Sequence, residues 1–329
     1  MDRELKFWKD ECEYYRNQLA FLEKYGKEDV PGLWGKLSRF SARMGKKRAR
    51  KKQIAAQRRL RRELETPVDG LNPEKREVPL IVSLTSFPAR ISFVPAVVGS
   101  LLRQTCRPDR ILLYLAGEQF SSPLPEKLTA LQKVGLEIRF VEDLRPHKKY
   151  FFAMQEYPDA VLVTVDDDVL YAETFLEELY ASYRKFPEAV SCMRAHKFRF
   201  DEEGNLKPYF EWILEYNEKR GVPSANLIPT GCGGVLYPPR CFSEEAFDRE
   251  TIRRIALSAD DLWLKVMCLR MGRKTVLCGD SKAPLNDVLE AIPTALAGEN
   301  FASSGNDEIL KNILAHFSMR LFDYMDDEL

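Results

Sequence analysis

Between residues 79 and 165 short apolar runs alternate with stretches of helical periodicity, and few folds accommodate that alternation. "PLIVSLTS" (79–86), "RILLYLA" (110–116), "LEIRFVE" (136–142) and "AVLVTV" (160–165) are strand-sized and rich in Val, Ile and Leu. Between them lie "SFVPAVVGSLLRQ", broken early by Pro95, then "EKLTALQKV" and "KKYFFAMQEY", which carry helical patterns. Near-continuous apolar strands separated by helices imply a mainly parallel sheet with helices on both faces. We therefore expect an α/β, Rossmann-like fold, preceded by a helical N-terminal extension. Ligands in such sheets bind beyond the carboxyl ends of the strands.

The fourth run ends in "VLVTVDDDVLY" (161–171), three consecutive carboxylates after a buried strand. Like charges this close repel and are costly to desolvate unless something pairs with them. If the chain stays extended, Asp166 and Asp168 converge while Asp167 points elsewhere. Two such carboxylates suit a hard divalent cation, Mn2+ or Mg2+, whose other positions are filled by water and phosphate oxygens. A strand-end turn with Asp residues capping backbone N–H groups is the plainer explanation.

Other polar residues fall at the same predicted rim. Thr85, Ser86 and Arg90 follow the first strand and suit either nucleotide recognition or a helix N-cap. Asp143 ends the third strand and is placed to accept from a base or ribose. Lys148 and Lys149 open the helix before the triplet, where they either neutralise a diphosphate or are simply solvated. "PTGCGGVLYPP" (229–239) is glycine-rich without the spacing of a Walker or dinucleotide loop. It either lets backbone approach a ligand or forms a turn. In "LSADDLWLKVMCLRMG" (257–272), Ser258 and Asp261 make an S-x-x-D capping box, yet an aspartate there also suits a general base. Trp212 and Trp263 are either core residues or platforms for a sugar ring. His147, His196 and His316 form no ligand cluster. His316 reads as packed, with a third metal ligand as the other option.

The formal net charge of zero conceals an asymmetry: residues 1–65 carry a net +9 and the remainder a net −9. We divide the chain into 1–30, 31–65, 66–77 and 78–329. Leu5, Trp8, Cys12, Tyr15, Leu19 and Leu22 make a short heptad seam, either a homodimerising coiled coil over 5–22 or a docked helix. From Lys36 to Arg62 there are 13 basic residues and no acidic ones, with Leu33, Leu37, Phe40 and Met44 on one helical face. An anionic membrane surface bound through residues 33–62 accounts for both features. A nucleic-acid arm or a solvated linker accounts for the charge alone. Residues 66–77 have linker composition. Seven cysteines without a CxxC pair argue against a disulfide framework or a zinc ribbon. With no signal-like N-terminus and no apolar stretch of about 20 residues, the expected location is cytoplasmic, peripheral on the inner face of the membrane.

The ordered set "RPHKKYFFAMQEYPDAVLVTVDDDVLY", "TGCGGVLYPP" and "SADDLWL" resembles nucleotide-sugar glycosyltransferases of the GT-A fold, in particular bacterial enzymes of surface polysaccharide or lipopolysaccharide synthesis. The resemblance spans roughly 78–316. It implies a GT-A-like catalytic domain, a nucleotide-sugar donor (UDP favoured) and a glycan or glycolipid acceptor. It also implies Mn2+ or Mg2+ held by Asp166 and Asp168, with Asp166 and Asp167 among the donor-site residues. Asp261, ahead of Asp260, matches the position of the base in inverting members. The chain lacks the Q-x-x-R-W signature of processive synthases. A sugar nucleotidyltransferase, or a nucleic-acid-binding or scaffold protein built on the basic arm, are the competing functions.

Overall fold

The computed structural model describes residues 51–283, 286–288, 290–291 and 305–326. Contacts divide the chain into two compact units, 1–56 and 57–329, and the second contains the sheet. The expectations for the heptad seam at 5–22 and for the basic stretch up to residue 50 lie outside the described residues.

In chain order the strands are β1 (Leu80–Ser86), β2 (Arg110–Ala116), β3 (Leu136–Val141), β4 (Val161–Thr164), β5 (Val190–Cys192), β6 (Ala195–Lys197), β7 (Pro223–Ser224), β8 (Leu227–Pro229), β9 (Val235–Tyr237) and β10 (Thr275–Leu277). Eight form one sheet in the order β3-β2-β1-β4-β9-β5-β10-β7, and β6 pairs with β8 in a separate ribbon. β9 is antiparallel to both β4 and β5, so those two neighbours point the same way. With β10 parallel to β5 and β7 antiparallel to β10, six of the eight strands share one direction, and the sheet is mostly parallel as expected.

The helices are α1 (residues 51–64), α2 (Val94–Leu101), α3 (Glu126–Ala130), α4 (Lys148–Glu156), α5 (Phe175–Lys185), α6 (Arg249–Ile255), α7 (Asp260–Arg270) and α8 (Gly305–His316). The period of two along each strand sorts side chains onto the two faces. Ile81, Leu112, Tyr114 and Leu162 pack with residues of α4, α7 and α8. Leu80, Val82, Leu84, Ile111, Leu113 and Val163 pack with α2 and α5. Both faces are covered, which is why these strands read as unbroken apolar runs. Pro95 does not interrupt its helix: α2 starts at Val94 with the proline in its first turn, where an N–H has no intrahelical partner anyway. Among the described residues no helix is long and apolar enough to cross a membrane.

The sheet unit reaches back to Gln57, well before residue 78. Leu60 and Leu64 of α1 pack against the α2 side of the core. Arg103 donates to the carbonyls of Leu64 (3.1 Å), Glu63 (3.2 Å) and Thr66 (3.0 Å), satisfying the C-terminal end of α1. The 66–77 stretch is tied down as well. Asn72 and Arg76 donate to Asp109 at 2.8 and 2.9 Å, and Asp109 also accepts from the Leu80 amide at 2.6 Å. In this part of the basic stretch the apolar side chains serve the core, while Arg59 and Arg62 stay exposed.

Gly99 of α2 lies so close to α1 that an added Cβ would sit 1.8 Å from the Leu64 carbonyl oxygen. Backbone cannot yield there as a side-chain tip would. Gly99→Ala should therefore cost about 1–3 kcal/mol in urea denaturation. Gly117→Ala, whose Cβ would meet only Phe140 at 3.8 Å, should stay within about 0.5 kcal/mol.

Candidate active site

A cleft of about 1050 Å³ opens beyond the carboxyl ends of β1 to β4. Every site residue expected from the sequence lines it: Thr85, Ser86, Arg90, Asp143, Lys148, Lys149, the three aspartates 166–168, Asp260 and Asp261. For the residues at or after the ends of β1, β3 and β4 the topology explains the convergence, since parallel strands deliver the loops after them to one rim; Asp260 and Asp261 arrive separately, at the start of α7.

The aspartate triplet is divided among partners. Asp166 accepts from Lys149 Nζ at 2.9 Å. Asp167 is buried and accepts from Ser86 Oγ at 2.6 Å and Arg90 Nη1 at 2.9 Å. Asp168 lies 3.1 Å from the same Arg90 nitrogen. Asp167 and Asp168 do form a turn, but these contacts are with side chains and not with the backbone N–H groups of a plain strand-end cap. Burial raises the pKa of Asp167 against the pull of Arg90. Burial and the charge on Asp166 push Asp168 up to about 7.

Lys148 and Lys149 are not solvated. Both lie in the first turn of α4, where the helix dipole disfavours cations, so each needs a carboxylate. Lys148 pairs with Asp143, which also accepts from Gln119 Nε2 at 2.7 Å and the Arg145 amide at 2.8 Å. Lys149 lies between Asp166 and Asp260, the latter at 3.1 Å. Burial alone would lower the Lys149 pKa, but Asp166, Asp260 and Asp261 hold it well above the usual lysine range. The Asp260 pair lacks hydrogen-bond geometry, leaving its buried Oδ2 without a donor.

The capping box does not form. The residue before α7 is Ala259, with no side-chain cap, and Asp261 Oδ2 instead accepts from the Gly231 amide at 3.0 Å. Burial and the Asp260 charge push Asp261 up to about 7. The glycine loop has a steric reason: a Cβ on Gly231 would meet Lys149 Nζ at 3.0 Å and Asp261 Oδ1 at 3.1 Å. Gly234, at φ 87°, faces the Phe175 ring, which a Cβ would meet at 2.4 Å. Nor are Thr85 and Ser86 N-caps. Thr85 Oγ1 donates to the Tyr114 carbonyl on β2 at 2.8 Å, and α2 has no side-chain cap.

Gln119, Arg194, His196, Tyr209 and Asp287 also line the cleft and were not anticipated as site residues. Arg194 follows a three-residue strand too short to show periodicity, and Asp287 lies in a stretch without a pattern. His196 accepts from the Glu215 amide at 3.0 Å and is pushed down to about 4 by burial, so it is neutral. His147 is a core histidine, bonded to Tyr150 and the Ala256 carbonyl. His316, expected to be packed, is exposed beside Arg254 and outside the cleft. Trp212 and Trp263 are both buried.

Seven aspartates line the cleft (143, 166, 167, 168, 260, 261, 287) against five cations (Arg90, Arg145, Lys148, Lys149, Arg194). That imbalance, with hard oxygen donors on Asp166 and Asp168, fits a divalent cation. Among the described residues no group of three or more His, Cys, Asp or Glu is arranged to hold a metal ion.

No protein-family model matches the chain, and no curated protein matches it. Solved structures to which the chain is similar include GalNAc-T7 with UDP, GalNAc and Mn2+, at 13% identity and a TM-score of 0.41, covering 65% of this chain. The chain spans about half of that protein, 47% of its length. Another is the mannosyltransferase PcManGT from Pyrobaculum calidifontis in complex with GDP-Man and Mn2+, at 13% identity and a TM-score of 0.41, with 81% of each chain covered. Likeness this distant carries no argument about chemistry, which rests on the chain's own residues.

Removing the central ammonium should be costly. Lys149→Met leaves the buried Asp260 and the half-buried Asp166 and Asp261 with uncompensated charge, an expected loss of about 2–3 kcal/mol at pH 8 once partial exposure is allowed for. Protonating Asp261 below about 7 relieves part of that charge, so the loss should shrink at pH 5. Urea denaturation at the two pH values measures both.

Proposed function

We propose that the cleft transfers a sugar from a nucleoside-diphosphate sugar, UDP favoured, to a hydroxyl of a glycan or glycolipid acceptor, with inversion, in cell-surface polysaccharide synthesis. The observation that carries this reading is one cleft holding a strand-end aspartate pair, two first-turn lysines and a half-buried aspartate raised to about 7. Asp166 and Asp168 would hold the Mn2+ or Mg2+ ion, which when bound offsets charge on the donor diphosphate.

Placement in the cleft supports the remaining roles. Lys148 and Lys149 add positive charge on the diphosphate side. Asp143, Thr85, Ser86 and Arg90 bound the donor end of the cleft. Asp261, near neutrality in pKa, takes the acceptor's hydroxyl proton. The acceptor oxygen then bonds to the anomeric carbon as the bond from that carbon to the diphosphate oxygen breaks, its electron pair leaving with the nucleoside diphosphate. The Gly231 amide fixes one oxygen of Asp261 at 3.0 Å. Asp260, already shared with Lys149, is the lesser candidate for the base. The proposed location is the cytoplasmic face of the membrane, with an anionic surface met through the basic segment at 33–62 and self-association through 5–22.

Thermal-shift titration with UDP, GDP, CDP and ATP, each with Mn2+ or EDTA, tests the reading. One nucleoside diphosphate should bind in a Mn2+-dependent way, and Asp168→Ala should abolish that dependence. Binding indifferent to both metal and Asp168 would refute it. With the donor so identified, kcat/KM should rise with pH through about 7 as Asp261 loses its proton. Asp261→Asn should lower kcat at least about 100-fold.

A further inference from the structure

The main chain just after the aspartate triplet is held from behind by a strap from elsewhere in the sequence. The Asp168 carbonyl accepts from the Val288 amide at 2.6 Å, and the Leu170 amide donates to the Asn286 carbonyl at 3.0 Å. Val169 and Asp287 pair between them as an antiparallel bridge. This pairing fixes the backbone of Asp168 and brings Asp287 to the cleft wall. It is far shorter than an independently stable strand pair, so its support comes from another element.

That element is α1. Gln57 Nε2 donates to the Asp287 carbonyl at 2.6 Å. Arg61 Nη1 donates to Glu290 Oε2 at 2.7 Å, and Arg58 Nη2 to Glu290 Oε1 at 2.5 Å. Val288 and Ala291 are buried in the core cluster against which Leu60 and Leu64 pack. The two arginines differ in weight. The Arg58 side chain is 57% exposed and that of Arg61 only 12%, and exposed pairs contribute little. The Arg61 guanidinium also lies 4.7 Å from the centre of the Phe93 ring, a cation–π contact strengthened by burial. Arg59 and Arg62, on the same helix, are exposed.

We infer that Gln57 and Arg61 are positioning residues of the cleft, acting through Asn286, Asp287, Val288 and Glu290 on the main chain of Asp168 and on Asp287. Basic residues that look in sequence like part of a separate arm thus belong to the architecture of the site. The inference uses the proposed transfer reaction only for the meaning of Asp168. The contacts themselves can be tested without it.

The test uses the full-length chain with Arg61→Glu, the swap Arg61→Glu/Glu290→Arg, the milder Glu290→Gln, and Arg59→Glu as an equal charge change on the exposed side. Hydrogen exchange followed by mass spectrometry should show peptides over 168–171 and 286–291 exchanging about ten-fold faster in Arg61→Glu. Peptides over 80–86 and 110–116 should be unchanged, the swap should restore most of the protection, and Glu290→Gln should fall between. In the same proteins, Mn2+-dependent affinity for the nucleoside diphosphate that the wild type binds should weaken in Arg61→Glu and recover in the swap. Arg59→Glu should match wild type in both readouts. Wild-type exchange over 168–171 in both Arg61→Glu and Glu290→Gln would overturn the inference, as would loosened exchange with metal-dependent affinity intact. If the wild type binds no nucleoside diphosphate, the transfer reading fails on its own and the exchange result still decides the strap.

Discussion

The buried Lys149 ammonium lies between the half-buried Asp166, which follows β4, and the buried Asp260, which opens α7. Each side of this arrangement would be unfavourable alone. A buried lysine in the first turn of a helix opposes both desolvation and the helix dipole, and clustered carboxylates at a strand end repel. Together they let α4, α7 and the end of β4 meet at one point. Gly231 completes the meeting because a side chain there would crowd both Lys149 and Asp261. Buried ion networks add little net stability compared with apolar packing, but they permit few alternative geometries. A site that must present several carboxylates in fixed directions benefits from that restriction.

Arg90 does for Asp167 and Asp168 what Lys149 does for Asp166 and Asp260. With Ser86 it draws Asp167 into the protein while leaving Asp168 at the cleft wall. The triplet is therefore three different residues in function. One faces a lysine, one is a structural anchor for the loop after β1, and one borders the open cleft. Burial first, and then the neighbouring aspartate charges, push Asp168 and Asp261 up to about 7.

β1, β2 and β4 were legible in the sequence because burial on both faces writes them as unbroken apolar runs, while the edge strand β3 showed itself by alternation, Glu137 and Arg139 between Leu136, Ile138 and Phe140. Convergence of the site residues from β1, β3 and β4 was legible for a topological reason, since residues after parallel strands reach the same rim. The capping box at Ser258 and Asp261 misled because local pattern cannot register an amide arriving from a loop thirty residues earlier. The packing of 57–77 was hidden similarly. Its charge and turn residues describe its solvent side, while its attachment depends on Asp109 and Arg103, on the bare backbone of Gly99, and on that of Gly70, where a Cβ would sit 1.8 Å from the Leu102 carbonyl oxygen. Arg194 and Asp287 sit on segments too short or irregular for any periodicity to mark.

The reversed strand β9 has a consequence for how the molecule assembles. It is the seam of the sheet, joining β1 to β4 on one side and β5, β10 and β7 on the other. A growing chain has β1 to β4 complete by Thr164, yet β5 has no sheet neighbour to dock on until Val235–Tyr237 has emerged. The nascent protein must therefore carry an unpaired β4 edge, with the aspartate triplet at its tip, through some seventy residues of synthesis. Long-range pairing of this kind is slow and leaves edges open to wrong partners. Like charges at the tip of such an edge oppose its pairing with an identical edge on another chain.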